Sequence, residues 1–210
     1  MINKLIFLGP PGAGKGTQAQ KLEKDYGYKK ISTGDILREE VSKSTDLGKL
    51  ASQYMERGLL VPDDVMIQII KKWVNKFDKF VLDGFPRTLK QAEELEKIVP
   101  IDRVIYFEIT KDEVIKRLSA RRICPKCKVV YNLLTNPPKN DEICDLCGSK
   151  LERRHDDAPE VINKRFEVYE KQTLPLLEFY NSKDLLIKID ASGNIDEVYQ
   201  RLKKVLFYQV

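Results

Sequence analysis

Histidine is nearly missing from this chain: His155 is the only one in 210 residues, and its neighbours are polar. Imidazole is the side chain whose ordinary titration falls near neutral pH, so a lone histidine in that setting reads as solvated rather than as a catalytic base. Long apolar runs are missing too. None approaches the ~18 residues of a membrane span, and Leu5 to Leu8 is too short for the core of an export signal. The expected setting is therefore a reducing cytosol, where paired cysteines serve metals more often than disulfides. There are no repeats, no low-complexity tracts and no basic block. The 37 basic and 32 acidic residues are dispersed and leave a net charge of +5, too mild for a nucleic-acid tail. What remains is ordinary for a soluble globular protein, with 42% hydrophobic and 33% charged residues, not a disordered one. The length suffices for one domain with insertions or for two small ones.

The most informative stretch is Gly9 to Thr17, Gly-Pro-Pro-Gly-Ala-Gly-Lys-Gly-Thr. The apolar run Leu5-Ile6-Phe7-Leu8 precedes it and helix formers from Gln18 to Glu23 follow. Strand, glycine-rich turn and helix in that order are the context of a P-loop. Glycines let backbone N–H groups curl inward around a phosphate, and the helix start adds unpaired N–H groups and a positive dipole end. Lys15 supplies a full charge for the outer phosphates. The general pattern places Ser or Thr directly after the lysine; here Gly16 takes that place and the hydroxyl moves to Thr17, so its usual metal role is not assured.

Along the chain, Gly27 is the expected end of the first helix, and a short strand ends near Ser32. Thr33 or Asp35 then caps a helix carrying Arg38, and helical sequence runs to Gly58. Asp63 is expected to cap a helix whose apolar stripe is Met66, Ile69, Ile70, Trp73 and Phe77. Phe80 to Asp83 is a strand that breaks at Gly84-Phe85-Pro86-Arg87, and Thr88 starts a helix containing Gln91. Val104 to Phe107 reads as a strand covered on both faces. Thr110 to Glu113 has the form of a capping box, and Arg117 and Arg121, four apart, are expected to share one helix face. Residues 123–153 break the pattern and read as an inserted subdomain. Helical order returns after Pro159, with a stripe at Ile162, Phe166, Tyr169, Leu176 and Tyr180 and a kink at Pro175. Leu185 to Asp190 is the last strand, and Ile195 to Val210 the closing helix. Alternating strands and helices predict a parallel α/β sheet. Ligands of such sheets sit at the carboxyl ends of the strands, so segments 9–17, 32–38 and 83–87 should meet in one cleft.

That cleft draws on only eleven arginines. Arg38, Arg87, Arg121, Arg154 and Arg165 lie at strand ends, at helix starts or beside the insertion, where a planar fork suits phosphate oxygens. Arg57, Arg103 and Arg201 read as surface charges, and Arg122 and Arg153 stay ambiguous. Asp83 ends an apolar strand, where P-loop enzymes keep the acidic residue that serves the metal, though a turn cap is the alternative. Asp156 and Asp157 either latch an arginine or stand exposed. Cys124, Cys127, Cys144 and Cys147 form C-x2-C-x16-C-x2-C, the knuckle spacing of a four-coordinate zinc site with no position open for catalysis. Two disulfides are the less suitable alternative in a reducing setting. Four thiolates on zinc would lower the net charge by about two.

Taken together, the segments 9–17, 32–38 (Ser-Thr-Gly-Asp-Ile-Leu-Arg) and 83–88 (Asp-Gly-Phe-Pro-Arg-Thr) and the Cys-rich insertion resemble the adenylate kinase family, in its bacterial form with a long zinc-bearing lid. The likeness spans essentially the whole chain, and Gly16 is ordinary in that family. It implies a P-loop nucleoside triphosphate hydrolase-like fold: a parallel five-stranded sheet flanked by helices, with a core of 1–31, 62–122 and 159–210. An AMP-binding insertion at 32–61 and a zinc lid at 123–158 would be mobile. By the same resemblance, Gly12, Ala13, Gly14, Lys15, Gly16, Thr17, Arg121, Val130, Tyr131 and the backbone of Gly193 hold ATP. Thr33, Arg38, Leu59, Leu60, Val61, Gly84, Phe85, Pro86, Arg87, Gln91, Arg154 and Arg165 hold AMP, and Asp83 acts on Mg²⁺ through water. The catalytic set is Lys15, Asp83, Arg87, Arg121, Arg154 and Arg165. The implied protein is a cytoplasmic monomer converting ATP and AMP to two ADP with Mg²⁺, without nucleic acid or membrane. Two readings compete: a relative phosphorylating UMP, CMP or GMP, against which Thr33 and Gln91 favour adenine, and a P-loop switch whose Cys-rich module binds nucleic acid. Lys126, Lys128 and Lys139 permit the switch, but no aromatic-and-basic pattern marks a stacking surface.

The chemistry asks little more. A phosphate monoester has its second pKa near ~6, so the acceptor is already an anionic nucleophile. No general base is needed, and the task is to neutralise and position two polyanions away from water.

Overall fold

In the central strand, Lys4–Leu8 (β1), successive apolar side chains go to opposite faces of the sheet. Leu5 and Phe7 pack with Leu22 and Leu202 on one side, and Ile6 and Leu8 with Ile70, Leu95 and Leu176 on the other. The same alternation holds at Val81 against Phe80 and Leu82, and at Ile105 against Val104 and Tyr106. Two helical layers therefore cover the sheet, and burial on both faces is what makes these strands continuously apolar. The computed structural model describes residues 2–208, apart from the side chain of His155. The expected solvation of His155 lies outside the described residues; the last helix stops at Phe207, where Tyr208 leaves helical geometry, and not at the expected Val210.

The elements in order are β1, Lys15–Tyr26 (α1), Lys29–Ser32 (β2), Thr33–Ser42 (α2), Asp46–Met55 (α3), Asp63–Val74 (α4), Phe80–Asp83 (β3) and Leu89–Glu96 (α5). Arg103–Glu108 (β4), Lys111–Ser119 (α6), Arg121–Ile123 (β5) and Val130–Asn132 (β6) follow. After a 3₁₀ turn at His155–Asp157 come Pro159–Val168 (α7), Leu176–Asn181 (α8), Leu186–Asp190 (β7) and Ile195–Phe207 (α9). Five strands form the expected sheet in the order β2-β3-β1-β4-β7, with every neighbouring pair parallel. The loop after β1 thus opens at the carboxyl edge, beside the ends of β3 and β4, where such sheets bind ligands.

Several local expectations need correction. Ser32, not Thr33 or Asp35, caps α2, accepting a hydrogen bond from the Asp35 amide at 3.4 Å. Pro62 precedes α4 without a side-chain cap, and Asp63 is its first residue. The buried stripe of α4 is Met66, Ile67, Ile70 and Val74; Ile69, Trp73 and Phe77 only flank the core. Thr110 caps α6, accepting from the Glu113 amide, but the box does not close, because Glu113 takes Arg117 at 3.1 Å. Arg121 is already in β5, so it shares no helix face with Arg117. The kink before Pro175 is a π-turn at Tyr169–Thr173, where the Leu174 amide donates to the Tyr169 carbonyl. Proline's missing N–H and bulk account for a break there.

Candidate active site

Three strand ends build the cleft. After β1 the chain turns through Gly14, left-handed at φ 89°, into α1 at Lys15. The Lys15 ammonium donates to the carbonyls of Gly9 and Pro10, each at 2.7 Å. Part of this side chain faces the cleft, yet its ammonium end is enclosed. Burial lowers it to about 8, with Asp83 pulling it back up and Arg87, Arg165 and Arg121 pushing it further down. Gly16 is there for space: a Cβ would stand 3.0 Å from Asp83 Oδ2. The carboxylate ending β3 thus lies against the first turn of α1, which explains why the hydroxyl waits until Thr17.

Across the cleft, Thr33 Oγ1 and Arg87 Nε both donate to the Gly84 carbonyl at 2.8 Å. Gly84 sits at φ +81°, and a Cβ would come within 2.9 Å of both side chains, so only glycine lets them converge. The Arg87 carbonyl accepts from Thr173 Oγ1 at 2.9 Å, a tie from the π-turn that the sequence did not suggest. Beside these groups lies an open cavity, of about 70 Å³, lined by Thr33, Arg38, Leu59, Leu60, Val61, Gly84, Arg87, Gln91 and Arg165. Gly34, Leu37, Met55, Gly58, Met66 and Asp156 line it as well and were not foreseen. Phe85, Pro86 and Arg154 are not among its walls; the Phe85 ring is buried in the core.

Carboxylates hold the arginines apart. Asp157 accepts from Arg121 at both oxygens, Nε to Oδ2 at 2.6 Å and Nη2 to Oδ1, and stands 3.3 Å from Arg165 Nη1. Asp156 takes Arg165 at 3.0 Å and lies 3.9 Å from Arg38. The two acids left open in sequence are therefore latches. Asp35, unforeseen, bridges Arg38 at 2.6 Å and Lys30 at 2.8 Å. Burial would raise the Asp156 carboxyl, but Arg165, Arg38, Arg121 and Arg154 outweigh it and hold it below the ordinary range. Burial and neighbouring guanidinium groups act the other way on the cations: Arg87 falls to about 10, chiefly through burial and Arg165. Arg154 falls to about 9 through burial, Arg121 and Arg38, and its buried Nε has no partner among the described residues. A group of cations this crowded and desolvated is poised for anions. Arg122 bonds the carbonyls of Ser119 and Arg121, and Arg201 those of Asp190 and Ser192.

In the insertion, β5 and β6 form an antiparallel hairpin over a small core of Cys124, Tyr131, Cys144 and Leu151. The sulfurs of Cys124, Cys127, Cys144 and Cys147 all lie within 4.8 Å of one another, with Sγ···Sγ separations of 3.4, 3.4 and 3.7 Å for three pairs. That is too long for disulfides at about 2.05 Å and near the edge, about 3.8 Å, of a tetrahedron with 2.3 Å zinc–sulfur bonds. The donor set therefore fits a tetrahedral metal. The Tyr131 hydroxyl lies 3.6 Å from Cys144 Sγ and accepts from the Asp145 amide at 2.9 Å. Its hydroxyl thus serves this cluster. The Gly193 carbonyl accepts from Arg117 at 3.1 Å, at a turn with φ +88°.

Comparison with known proteins bears on what such a cleft does. A family model described as Adenylate kinase matches residues 7–185. A protein named Adenylate kinase from Petrotoga mobilis is 46% identical over 208 residues, 97% of each chain. Another of that name, from Archaeoglobus fulgidus, is 47% identical over 210 residues, 96% of this chain and 97% of its own. A third, from Caldanaerobacter subterraneus, is 46% identical over 211 residues, 97% and 96%.

Proposed function

The chain belongs to the adenylate kinase family, and from that premise we propose how its residues share the work. The enzyme transfers a phosphoryl group from ATP, taken with Mg²⁺, to AMP, giving two ADP. Gly12 to Thr17 wrap the ATP phosphates, with Arg121, the main chain of Val130 and Tyr131 and the Gly193 turn completing that site. AMP occupies the cavity between Thr33, Arg38, Leu59 to Val61, Gly84 to Arg87 and Gln91, with Arg154 and Arg165 on its phosphate. Asp83 holds the magnesium water shell.

One observation carries this reading: Arg87, Arg121 and Arg165 stand close enough to Lys15 for their charges to depress its ammonium. Transferring phosphate between two polyanions needs such a cluster, fixed in advance where charge is shared between donor and acceptor. Lys15 exchanges its two carbonyl partners for phosphate oxygens, and Arg154 gives its idle Nε–H. Asp156 and Asp157 keep Arg165 and Arg121 oriented before substrate arrives. Closure over the pair excludes water from the reacting phosphate.

Residues 32–61 and 123–158 are read as the moving flaps on the core of 1–31, 62–122 and 159–210, and zinc as the metal of the four cysteines, structural because no coordination position stays open. The reading extends to a cytoplasmic monomer acting on free ATP, ADP and AMP, apart from nucleic acid. No helix among the described residues is long and apolar enough to cross a membrane. An acceptor panel tests the assignment: with MgATP, AMP should be converted with a kcat/KM far above those for UMP, CMP and GMP. A higher value for any of the three would displace AMP as the acceptor.

A further inference from the structure

Gln91 is 2% exposed and lies in the first turn of α5, with Thr88 as the cap. Its side-chain oxygen accepts from the Arg87 backbone N–H at 2.7 Å, and its Nε2 donates to Asp63 Oδ1 at 2.7 Å. Asp63 Oδ2 in turn accepts from Thr88 Oγ1 at 3.1 Å. A primary amide has two acceptor lone pairs and two N–H donors. Each kind is half used here, which leaves one lone pair and one N–H for a ligand in the cavity that Gln91 lines.

The two partners also dictate which way the amide faces. A backbone N–H can only donate, and carboxylate oxygens accept. Rotating the amide by half a turn would set Nε2 against the Arg87 N–H and Oε1 against the Asp63 carboxylate, two like-with-like contacts in a buried place. Leaving buried polar groups unpaired is costly. The free lone pair and N–H therefore keep a fixed order. An adenine edge, an amino donor beside a ring-nitrogen acceptor, matches it. A 6-oxo purine presents the inverse edge, an oxygen acceptor beside a ring N–H, and would need the rotated amide.

We propose that Asp63 is a positioning residue which, by locking the Gln91 amide in one orientation, makes the acceptor site select a 6-amino purine over a 6-oxo purine. This rests on the reading that the acceptor base lies against Gln91. Sequence alone hid the role, because Asp63 after Pro62 reads as a helix cap.

The test compares AMP with inosine monophosphate as acceptors in wild type, Asp63→Asn and Gln91→Leu. Asparagine is nearly isosteric with aspartate and can donate or accept, so it removes the Asp63 half of the lock and leaves only the Arg87 N–H opposing rotation. In Asp63→Asn the ratio of kcat/KM for AMP over inosine monophosphate should fall at least ~10-fold, the discrimination of one good bidentate pair, mostly through KM. The melting temperature and the KM for ATP should stay put. Should Asp63→Asn not fold, Asp63→Ala frees the same Nε2 and should shift the ratio in the same direction. An Asp63 variant that weakens both acceptors equally, or neither, overturns the inference. If Gln91→Leu lowers the ratio while the Asp63 variant leaves it unchanged, the base contact stands and the lock falls. If Gln91→Leu also leaves AMP use untouched, the reading of the acceptor site itself falls, and the lock with it.

Discussion

Lys15 should give this enzyme an alkaline limit of its own making. Burial, set against the attraction of Asp83 and aided by Arg87, Arg165 and Arg121, lowers its ammonium from 10.5 to about 8 in the substrate-free protein. Capture of MgATP needs the charged form. With a pKa of about 8, roughly a tenth of the molecules keep that charge at pH 9 and about a hundredth at pH 10. The value of kcat/KM for ATP, which reports free-enzyme groups, should hold level to near pH 7.5 and then fall about tenfold per unit. Bound phosphates stabilise the ammonium, so the limb in kcat should lie at higher pH. Stability runs the opposite way. The unfolded lysine keeps its ordinary, higher pKa, so between about 8 and 10.5 the unfolded chain binds more protons and stability rises with pH. The full shift corresponds to roughly 3 kcal/mol. Lys15→Met lacks this term: it should be the more stable protein at pH 7, and its advantage should vanish by about pH 10.5 in denaturant titrations. A kcat/KM for ATP that stays flat to pH 9.5 would refute the reasoning.

Two further outcomes follow from the same geometry. Gly16→Ser restores the hydroxyl of the general P-loop pattern but sets a Cβ 3.0 Å from Asp83 Oδ2, so the carboxylate must shift; misplacing a group in the site can cost up to ~100-fold, and steady-state kinetics should show kcat/KM for MgATP down by roughly 10- to 100-fold, whereas wild-type kinetics would clear Asp83 as the cause. Cys144→Ser, at a buried sulfur, should lose zinc by mass spectrometry and lower the melting temperature by roughly 5–15 °C, as the loss of a staple would, while activity in the cold falls only modestly, because Lys15, Arg87 and Arg165 lie outside the insertion; a metal-free variant with an unchanged melt but no turnover would make the metal catalytic.

Most of the site was legible because its parts are local. The turn from β1 into α1, the glycine at φ +81° after β3 and the paired cysteines each declare themselves within a few residues. Steric and coordination rules act over that range. The sheet was legible for a related reason: burial on both faces leaves β1 and β4 no polar positions, so their apolar runs stand out. What stayed hidden was decided by partners distant in sequence. Asp63 and Gln91 lie 28 residues apart, and Arg121 and Asp157 lie 36 apart. The local rules that made Asp63 a cap and joined Arg121 to Arg117 describe what a segment prefers alone. The cleft overrode both, because Asp63 and Arg121, each half-buried, gain charge-assisted hydrogen bonds there, which outweigh one helix cap, and because two arginines on one helix face gain nothing from each other. The acidic residues whose role was misread or left open orient the ligand-facing side chains: Asp63, read as a cap, holds Gln91, and Asp156 and Asp157, left open between latch and exposed charge, hold Arg165 and Arg121, while Asp35, also read as a cap, holds Arg38 only three residues away. In this fold the glycine turns and arginines of the cleft announce themselves in sequence, whereas partners such as Asp63 and Asp157 are assigned only once segments 28 and 36 residues away are folded beside them.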